Sequence, residues 1–356
     1  MLDILQVSGF SEGALPFKYL GVPISAGRLS VKNCSCLIEK ITEKIHGYAA
    51  KKLSYAGRLT LVNSVLTTLY TYWASIFILP KGVLRRIDAL CRNYLWDGST
   101  EYVRSPLVSW EKVCVPKDEG GLGIRHNIAW NLASICKLSW WIYSNQDSLW
   151  TICKVKDKFS AGFSSTGLWL PCPSGYSVSS GYQWIRQKQP TVTWNKVIWN
   201  SWCISKHSFI SWLIAREALQ LKDKLFLLGI ISDDVCFLCG SAAENHKHLF
   251  TQCCYTRQLF RMLSLKLNIC LPVANLLVWM QTKPWAKIKK QVTIVWTQAL
   301  YYTIWHQRNK ARLEGVVQRP EHVFQQLKCL LKCRFLGWHV CIKRSSDRTW
   351  FKTVTY

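Results

Sequence analysis

The chain has 356 residues, 49% hydrophobic and 19% charged, a balance that excludes a disordered state and suffices for two or three domains. Its 46 Lys and Arg against 20 Asp and Glu leave a formal net charge of +26, which points to an acidic partner, nucleic acid before an anionic membrane surface. The sixteen cysteines follow a start, "MLDILQVSGF", with neither a basic lead nor a long apolar run, so reduced intracellular thiols are expected rather than a disulfide scaffold.

The first element, "LPFKYLGVPIS", reads as a short strand with turn residues Pro16, Gly21 and Pro23, and a short strand pair at most is expected over 16–27. Helical patterns follow. In "NCSCLIEKITEKIHGY", Leu37, Ile38, Ile41, Ile45 and Tyr48 recur at three- and four-residue steps. The charge-free run from Leu59 to Pro80 could mimic a membrane span. Its Asn63, Ser64, Thr67, Thr68, Thr71 and Ser75 at helical intervals instead fit a buried amphipathic core helix. In "KGVLRRIDALCRNYLWDG", Val83, Ile87, Leu90, Tyr94 and Leu95 form the apolar side, Arg85, Arg86 and Arg92 the wet one, and Gly98 the C-cap. "PKDEGGLGIR" lacks the Lys-Ser/Thr of a phosphate-cradling loop and reads as a tight turn. "HNIAWNLASICKLSWWIYSN" is expected to be a mostly buried helix.

From Phe159 to Tyr182 the composition shifts to Ser, Gly and Pro, which marks an irregular domain boundary. Two short helices are expected in "SFISWLIAREALQLKDKLFLLGI", then a helix in "TRQLFRMLSLKL", a long one in "KQVTIVWTQALYYTIWHQRNKARLEG" and a last one from about Glu321 to Lys343. From Lys283 onward fifteen Lys or Arg face three acids.

Between these helices stands "CFLCGSAAENHKHLFTQCC". Cys236 and Cys239 form a Cys-x2-Cys knuckle with Gly240 to relax the turn, a spacing that lets two thiolates reach one ion. His248 and Cys253 supply a His-x4-Cys second half, with His246 and Cys254 as alternatives. His246 is otherwise expected to be a solvated helix-start residue and Cys254 a packed small one. On an ideal α-helix Cys253 lies about 140° round from His248, so the helix is expected to end or loosen there. Four protein ligands would make the ion structural Zn2+, with no position left for a catalytic water.

The ordered segments "LPFKYLGVPIS", "LIEKITEKIHGYAAKKLSYAGRLTLVNSVL", "LPKGVLRRIDALCRNYLWDG", "VCVPKDEGGLGIR", "FISWLIAREALQLKDKL", "CFLCGSAAENHKHLFTQC" and "YYTIWHQRNKARL" resemble the C-terminal half of the polyprotein of plant non-LTR (LINE-type) retrotransposons. The resemblance covers about residues 11 to 315, and the ordered set is what makes it specific. It implies a reverse transcriptase with its palm upstream, a helical thumb-like region and a small reverse-transcriptase zinc-binding domain. It selects the same metal ligands, Cys236, Cys239, His248 and Cys253, because the family's Glu-x3-His-Leu-Phe-x2-Cys pattern falls on Glu244, His248, Leu249, Phe250 and Cys253. The expected fold is therefore mainly α. It comprises a residual palm-edge strand segment (1–27), a helical thumb-like region (28–158), an irregular linker (159–190), a small zinc-binding domain (191–268) and a basic helical C-terminal region (269–356).

Strand copying needs carboxylates that hold two metal ions. The one Asp-Asp pair, Asp233-Asp234, has Ile231 where the family's aromatic belongs and precedes Cys236 by two residues, so it reads as a turn. No endonuclease or RNase H carboxylate set is visible. The expectation is a non-catalytic fragment that binds RNA or single-stranded DNA without sequence preference, with no membrane partner and no small-molecule substrate, intracellular and in the nucleus rather than the cytoplasm. The expected phosphate contacts are Lys287, Lys289, Lys290, Arg308, Lys310 and Arg312, while Trp296, Tyr301 and Trp305 are expected in the core. The second reading is an interaction or scaffold module, or a retroelement remnant with no nucleic-acid role.

Overall fold

In the computed structural model, which describes residues 17–19, 21–24, 29–48, 53–144, 175–272, 276–336 and 345–355, backbone hydrogen bonds close mostly within helices, and the fold is mainly α. Extended pairing among the described residues is confined to β1 (Phe17–Tyr19) and β2 (Val22–Ile24), antiparallel with Tyr19 opposite Val22, and to one bridge between Val235 and Ala243. Positions 16, 20 and 25–27 of the expected strand pair lie outside the described residues. Among the described residues no helix is long and apolar enough to cross a membrane. The chain divides into two units, the first comprising Met1–Leu53, Arg58–Val115 and Gly121–Gln189, the second Ser54–Gly57, Pro116–Gly120 and Pro190–Tyr356.

In the first unit the apolar stripe of α1 (Ser35–Gly47), made of Leu37, Ile41 and Ile45, packs on α4 (Lys81–Asp97). As its spacing predicts, α4 buries Val83, Ile87, Leu90, Tyr94 and Leu95 and stops at Gly98, whose φ of 76° suits a residue without a Cβ. The Arg58 guanidinium lies over that end and donates to the carbonyls of Leu95 (3.3 Å) and Trp96 (3.0 Å). The charge-free run from Leu59 forms the end of α2 (Tyr55–Leu61), a π-turn (Val62–Leu66) and α3 (Thr67–Ile76). The Ser and Thr hydroxyls between residues 64 and 75 are satisfied on the helix itself. Ser64 donates to Thr60 (2.8 Å), Thr67 to Asn63 (2.9 Å) and Thr71 to Thr67 (2.8 Å).

A short helix, α5 (Trp110–Val113), precedes α6 (Asn127–Ser144), which packs on α3 and is tied there by two asparagines. Asn131 donates to Ala74 (2.9 Å) and Phe77 (2.8 Å) and accepts from the Leu79 N–H (2.9 Å), which closes the end of α3. Asn127 accepts from the Tyr70 hydroxyl and donates to Asp88, which also accepts from Trp110 Nε1 (2.9 Å). The expectation of a mostly buried α6 is corrected, since Leu132, Leu138 and Trp141 are exposed. The irregular boundary is corrected too. Residues 159–174 lie outside the described residues, but 178–185 form α7 (Val178–Ile185), opened by a capping box between Ser177 and Ser180. It packs on Ala129 and Ala133 of α6 through Tyr182, and a Cβ on Gly181 would collide with the Tyr176 ring.

The second unit is built on α13 (Lys287–Glu314), the long basic helix. Before it come α8 (Asn195–Ile198), α9 (Ser205–Ala215), α10 (Lys222–Leu227), α11 (Cys254–Leu267) and α12 (Leu276–Thr282); after it come α14 (Pro320–Phe335) and α15 (Ser345–Thr355). Residues 337–343 of the last expected helix lie outside the described residues, and α15 has no counterpart among the expected elements. Trp296 of α13 stacks with Phe324 of α14 and meets Phe335, which meets Phe351 of α15 edge-on. Gln298 donates to the carbonyls of Val197 (2.6 Å) and Ile198 (3.1 Å) and accepts from Ser208 (2.9 Å), so α8, α9 and α13 share one buried amide. The tight turn at Gly120 has a φ of 88°, and its carbonyl accepts from Trp212 Nε1 (2.8 Å) and from Arg216 (3.0 and 2.6 Å).

His207 of α9 is buried against the Tyr302 ring, at 4.6 Å between centroids, and its Nε2 has no hydrogen-bond partner. Burial, then the neighbouring Lys206 charge, lower its pKa from 6.5 to about 4. The unfolded chain therefore binds this proton first. The stability that the neutral ring contributes is complete above pH 6.5 and is lost as pH falls from 6.5 toward 4, by about 3 kcal/mol at most. Urea midpoints measured across that window should fall less steeply for His207→Phe than for the wild type.

Candidate metal centre

The knuckle is a tight hairpin. The bridge between Val235 and Ala243 closes it, Cys236 N–H donates to Ala242 (2.8 Å), and Gly240 N–H donates back to Cys236 (2.9 Å) with a φ of 64°. That places Cys236 and Cys239 on one side of a short loop. The second half begins at Asn245, whose side chain accepts from the His248 N–H (2.8 Å). From His248 to Gln252 the backbone takes a π-turn, and Cys253 N–H donates to the His248 carbonyl at 2.7 Å. This bond joins residue i to i+5, so Cys253 stacks over His248 instead of pointing away. The expected loosening at Cys253 thus has a definite form, and α11 starts on the next residue.

Sγ of Cys236, Cys239 and Cys253 and a ring nitrogen of His248 all lie within 4.8 Å of one another, and His248 Nε2 is 3.3 Å from Cys239 Sγ. A tetrahedral zinc with sulfurs near ~2.3 Å and nitrogen near ~2.0 Å needs ligand separations of about 3.5–3.8 Å, so small side-chain adjustments suffice. Three sulfurs and one imidazole with no carboxylate form a soft donor set of the zinc type. Cys236 and Cys253 are close enough to share a proton. The hydrogen bond between them, then burial, push the Cys236 thiol up, while accepting that bond holds the Cys253 thiol down. A divalent cation would replace these protons with its own charge.

The two alternative ligands sit elsewhere, and both expectations about them are corrected. His246 does not face solvent. It is half-buried, its Nε2 is 3.3 Å from the Leu219 carbonyl, and its ring lies 6.0 Å from Phe250. Cys254 is not packed but exposed, as the first residue of α11. Asp233 and Asp234 belong to the turn before the hairpin, Asp233 pairing with Lys222 Nζ at 2.5 Å and the Asp234 carbonyl accepting from Glu244 N–H.

One expected nucleic-acid contact is overturned. Arg308 has no exposed surface, because its Nε and Nη2 donate to Glu244 Oε1 at 3.0 and 2.6 Å inside the fold. A guanidinium held there cannot reach a phosphate. The sequence carried a signal for this: Arg308 falls on the buried stripe of Tyr301, Ile304 and Ala311. Lys287 and Arg312 are exposed. The Lys289 ammonium lies between the rings of Trp285 (5.7 Å) and Trp350 (5.8 Å), Lys290 donates to the Gln281 carbonyl (3.0 Å), and Lys310 is 3.6 Å from Glu314. Trp296 and Tyr301 are core, and Trp305 is half-buried beside Arg308.

Residues 176–260, about a quarter of the chain, match the family described as "zinc-binding in reverse transcriptase". A stretch of 149 residues, 42% of the chain, is 36% identical to the "Putative ribonuclease H protein" of Arabidopsis thaliana. The match spans 24% of that relative's length. Each similarity covers part of the chain only, the first a zinc-binding region found in reverse transcriptases and the second a portion of a longer protein.

The π-turn leaves the Leu249 carbonyl to Thr256, whose buried hydroxyl donates to it at 2.7 Å. Thr256→Val keeps the volume and strands that carbonyl. It should cost about 1–3 kcal/mol in thermal or urea unfolding.

Proposed function

We propose that this chain is a zinc-organised, non-catalytic segment of a non-LTR-type reverse transcriptase that binds RNA or single-stranded DNA without sequence preference. The observation that carries the zinc part is the convergence of three cysteines and one histidine inside the span that matches the reverse-transcriptase zinc-binding family. Zn2+ held by Cys236, Cys239, His248 and Cys253 would have a closed sphere. Its role is then to hold the hairpin, the π-turn and the start of α11 together. The chain carries no Tyr/Phe-x-Asp-Asp turn, and its one Asp-Asp pair serves the turn before the hairpin.

The nucleic-acid part is supported by the net charge of +26 and by the acid-free run from Lys283 to Lys290. Trp279 and Trp285 meet edge-on at 5.1 Å, with the Lys283 ammonium over Trp279 and that of Lys289 over Trp285, which gives stacking rings with cations beside them. A specific feature favours the interaction-module reading as the alternative. Leu227, Leu228 and Ile230, at and just beyond the end of α10, are 84%, 70% and 62% exposed, an apolar tip suited to a protein partner.

Metal analysis of the purified chain should give about one zinc per molecule, as four protein ligands require. Cys236→Ser, Cys239→Ser and Cys253→Ser should each release it, while Cys254→Ser should keep it. A requirement for Cys254 would overturn the ligand set.

Affinity for an unstructured RNA or single-stranded DNA should fall steeply with salt. Replacing Lys287, Lys289, Lys290, Lys310 and Arg312 by Ala should reduce the salt slope by about 0.7 for each residue that contacts a phosphate. An affinity insensitive to salt, or unchanged by all five substitutions, would favour the interaction-module reading.

A further inference from the structure

Glu244 stands between the two ligand pairs, five residues after Cys239 and four before His248. Its side chain is fully buried, and so is that of Arg308. The Oε1 atom accepts from three donors: Arg308 Nε (3.0 Å), Arg308 Nη2 (2.6 Å) and the Lys222 backbone N–H (3.0 Å). The Glu244 backbone is fixed as well. Its N–H donates to Asp234 (2.7 Å), where the hairpin begins, and its carbonyl accepts from the Asp223 N–H (3.1 Å) in α10. Arg308 reaches the hairpin a second way, since its guanidinium carbon lies 5.2 Å from the Phe237 ring, on the residue after the first cysteine ligand. Lys222 Nζ lies over the same ring at 4.0 Å.

These contacts converge from α10, the hairpin and α13 on one residue, Glu244, through its backbone and its carboxylate. None of them is with a ligand atom, yet each fixes the chain from which a ligand pair departs. A carboxylate buried without its guanidinium would have to move toward water, because an unpaired buried charge is strongly disfavoured. Moving it displaces Asp234 and Asn245, and with them both halves of the site.

We propose that the buried Glu244–Arg308 pair pre-organises the Cys3His cluster, so that Arg308, sixty residues beyond His248 and in the long helix α13, is a positioning residue for metal binding, and that metal binding in turn holds α13 against the hairpin. This inference rests on the zinc reading above. It predicts that metal affinity changes with a residue that touches no metal, and that the change follows the pairing of the two charges.

The test is zinc affinity by competition with a chromophoric chelator, on the full chain, for the wild type, Arg308→Met, Glu244→Gln and the double variant. Arg308→Met should weaken zinc about 10-fold or more while still saturating at the wild-type stoichiometry. The double variant, which leaves no buried charge, should recover part of that loss, a rescue that general destabilisation would not produce. In parallel, zinc should slow proteolysis within α13 in the wild type and not in Arg308→Met. A wild type that binds no zinc would sink the zinc reading itself. Tight binding by the wild type with equal affinity in Arg308→Met would overturn only this inference. If Arg308→Met loses its helical circular dichroism, the double variant decides: folded, with affinity at least as low as that of Glu244→Gln, it would count against the pairing, and closer to wild type it would support it.

Discussion

Two side chains five residues apart diverge by about 140° on an α-helix and cannot reach one point. The i→i+5 bond from Cys253 to His248 removes that divergence, and the surrounding backbone is arranged to keep it. Asn245 caps the turn's entry, Thr256 takes the carbonyl that the wider turn frees, and Cys253 leaves the helical region with a ψ of 129° so that α11 can begin anew. A wider turn is a weak helix by itself, since its hydrogen bonds are poorly placed and its axis is less well packed. Here it is enclosed by Leu249 and Phe250, both buried, and Phe250 meets Tyr301 of α13 edge-on. The cluster is thus a local backbone irregularity stabilised by a regular helix.

In each unit a buried side-chain amide takes its partners from neighbouring helices. In the first unit Asn131 closes the end of α3 with three bonds, and Asp88 gathers Trp110 and Asn127. Burial raises the Asp88 carboxyl above its ordinary value, with the Trp110 bond opposing the rise. In the second unit Gln298 does for α8 and α9 what Asn131 does for α3. Each of these amides fixes the register of a packing that Leu and Ile alone would leave free to slide.

The helices that bury a continuous stripe were legible from spacing, since burial itself imposes the three- and four-residue steps seen in α1 and α4. The stop of α4 was legible because Gly98 adopts a conformation that other residues avoid. The cysteine spacing marked the hairpin for a similar reason, as only a short loop brings Cys236 and Cys239 together. What escaped was decided by partners remote in the chain. His246 reads as solvated until Leu219, twenty-seven residues earlier, is brought beside it. Arg308 reads as a phosphate contact until Glu244 is found beneath it. The helix α7 was hidden by composition: Ser177, Ser180 and Gly181 look like linker residues, yet they serve as a cap and as the close contact with Tyr176.

The buried pair also bears on how such a chain can drift. Exposed lysines such as Lys287 can be exchanged one at a time, because water replaces whatever contact is lost. Glu244 and Arg308 have no such freedom. Either one altered alone leaves a charge stranded in the interior, and the way from this pair to an uncharged one passes through an intermediate worse than both ends. A lineage released from selection should lose them together with the fold, whereas one still under selection should keep or replace them as a unit.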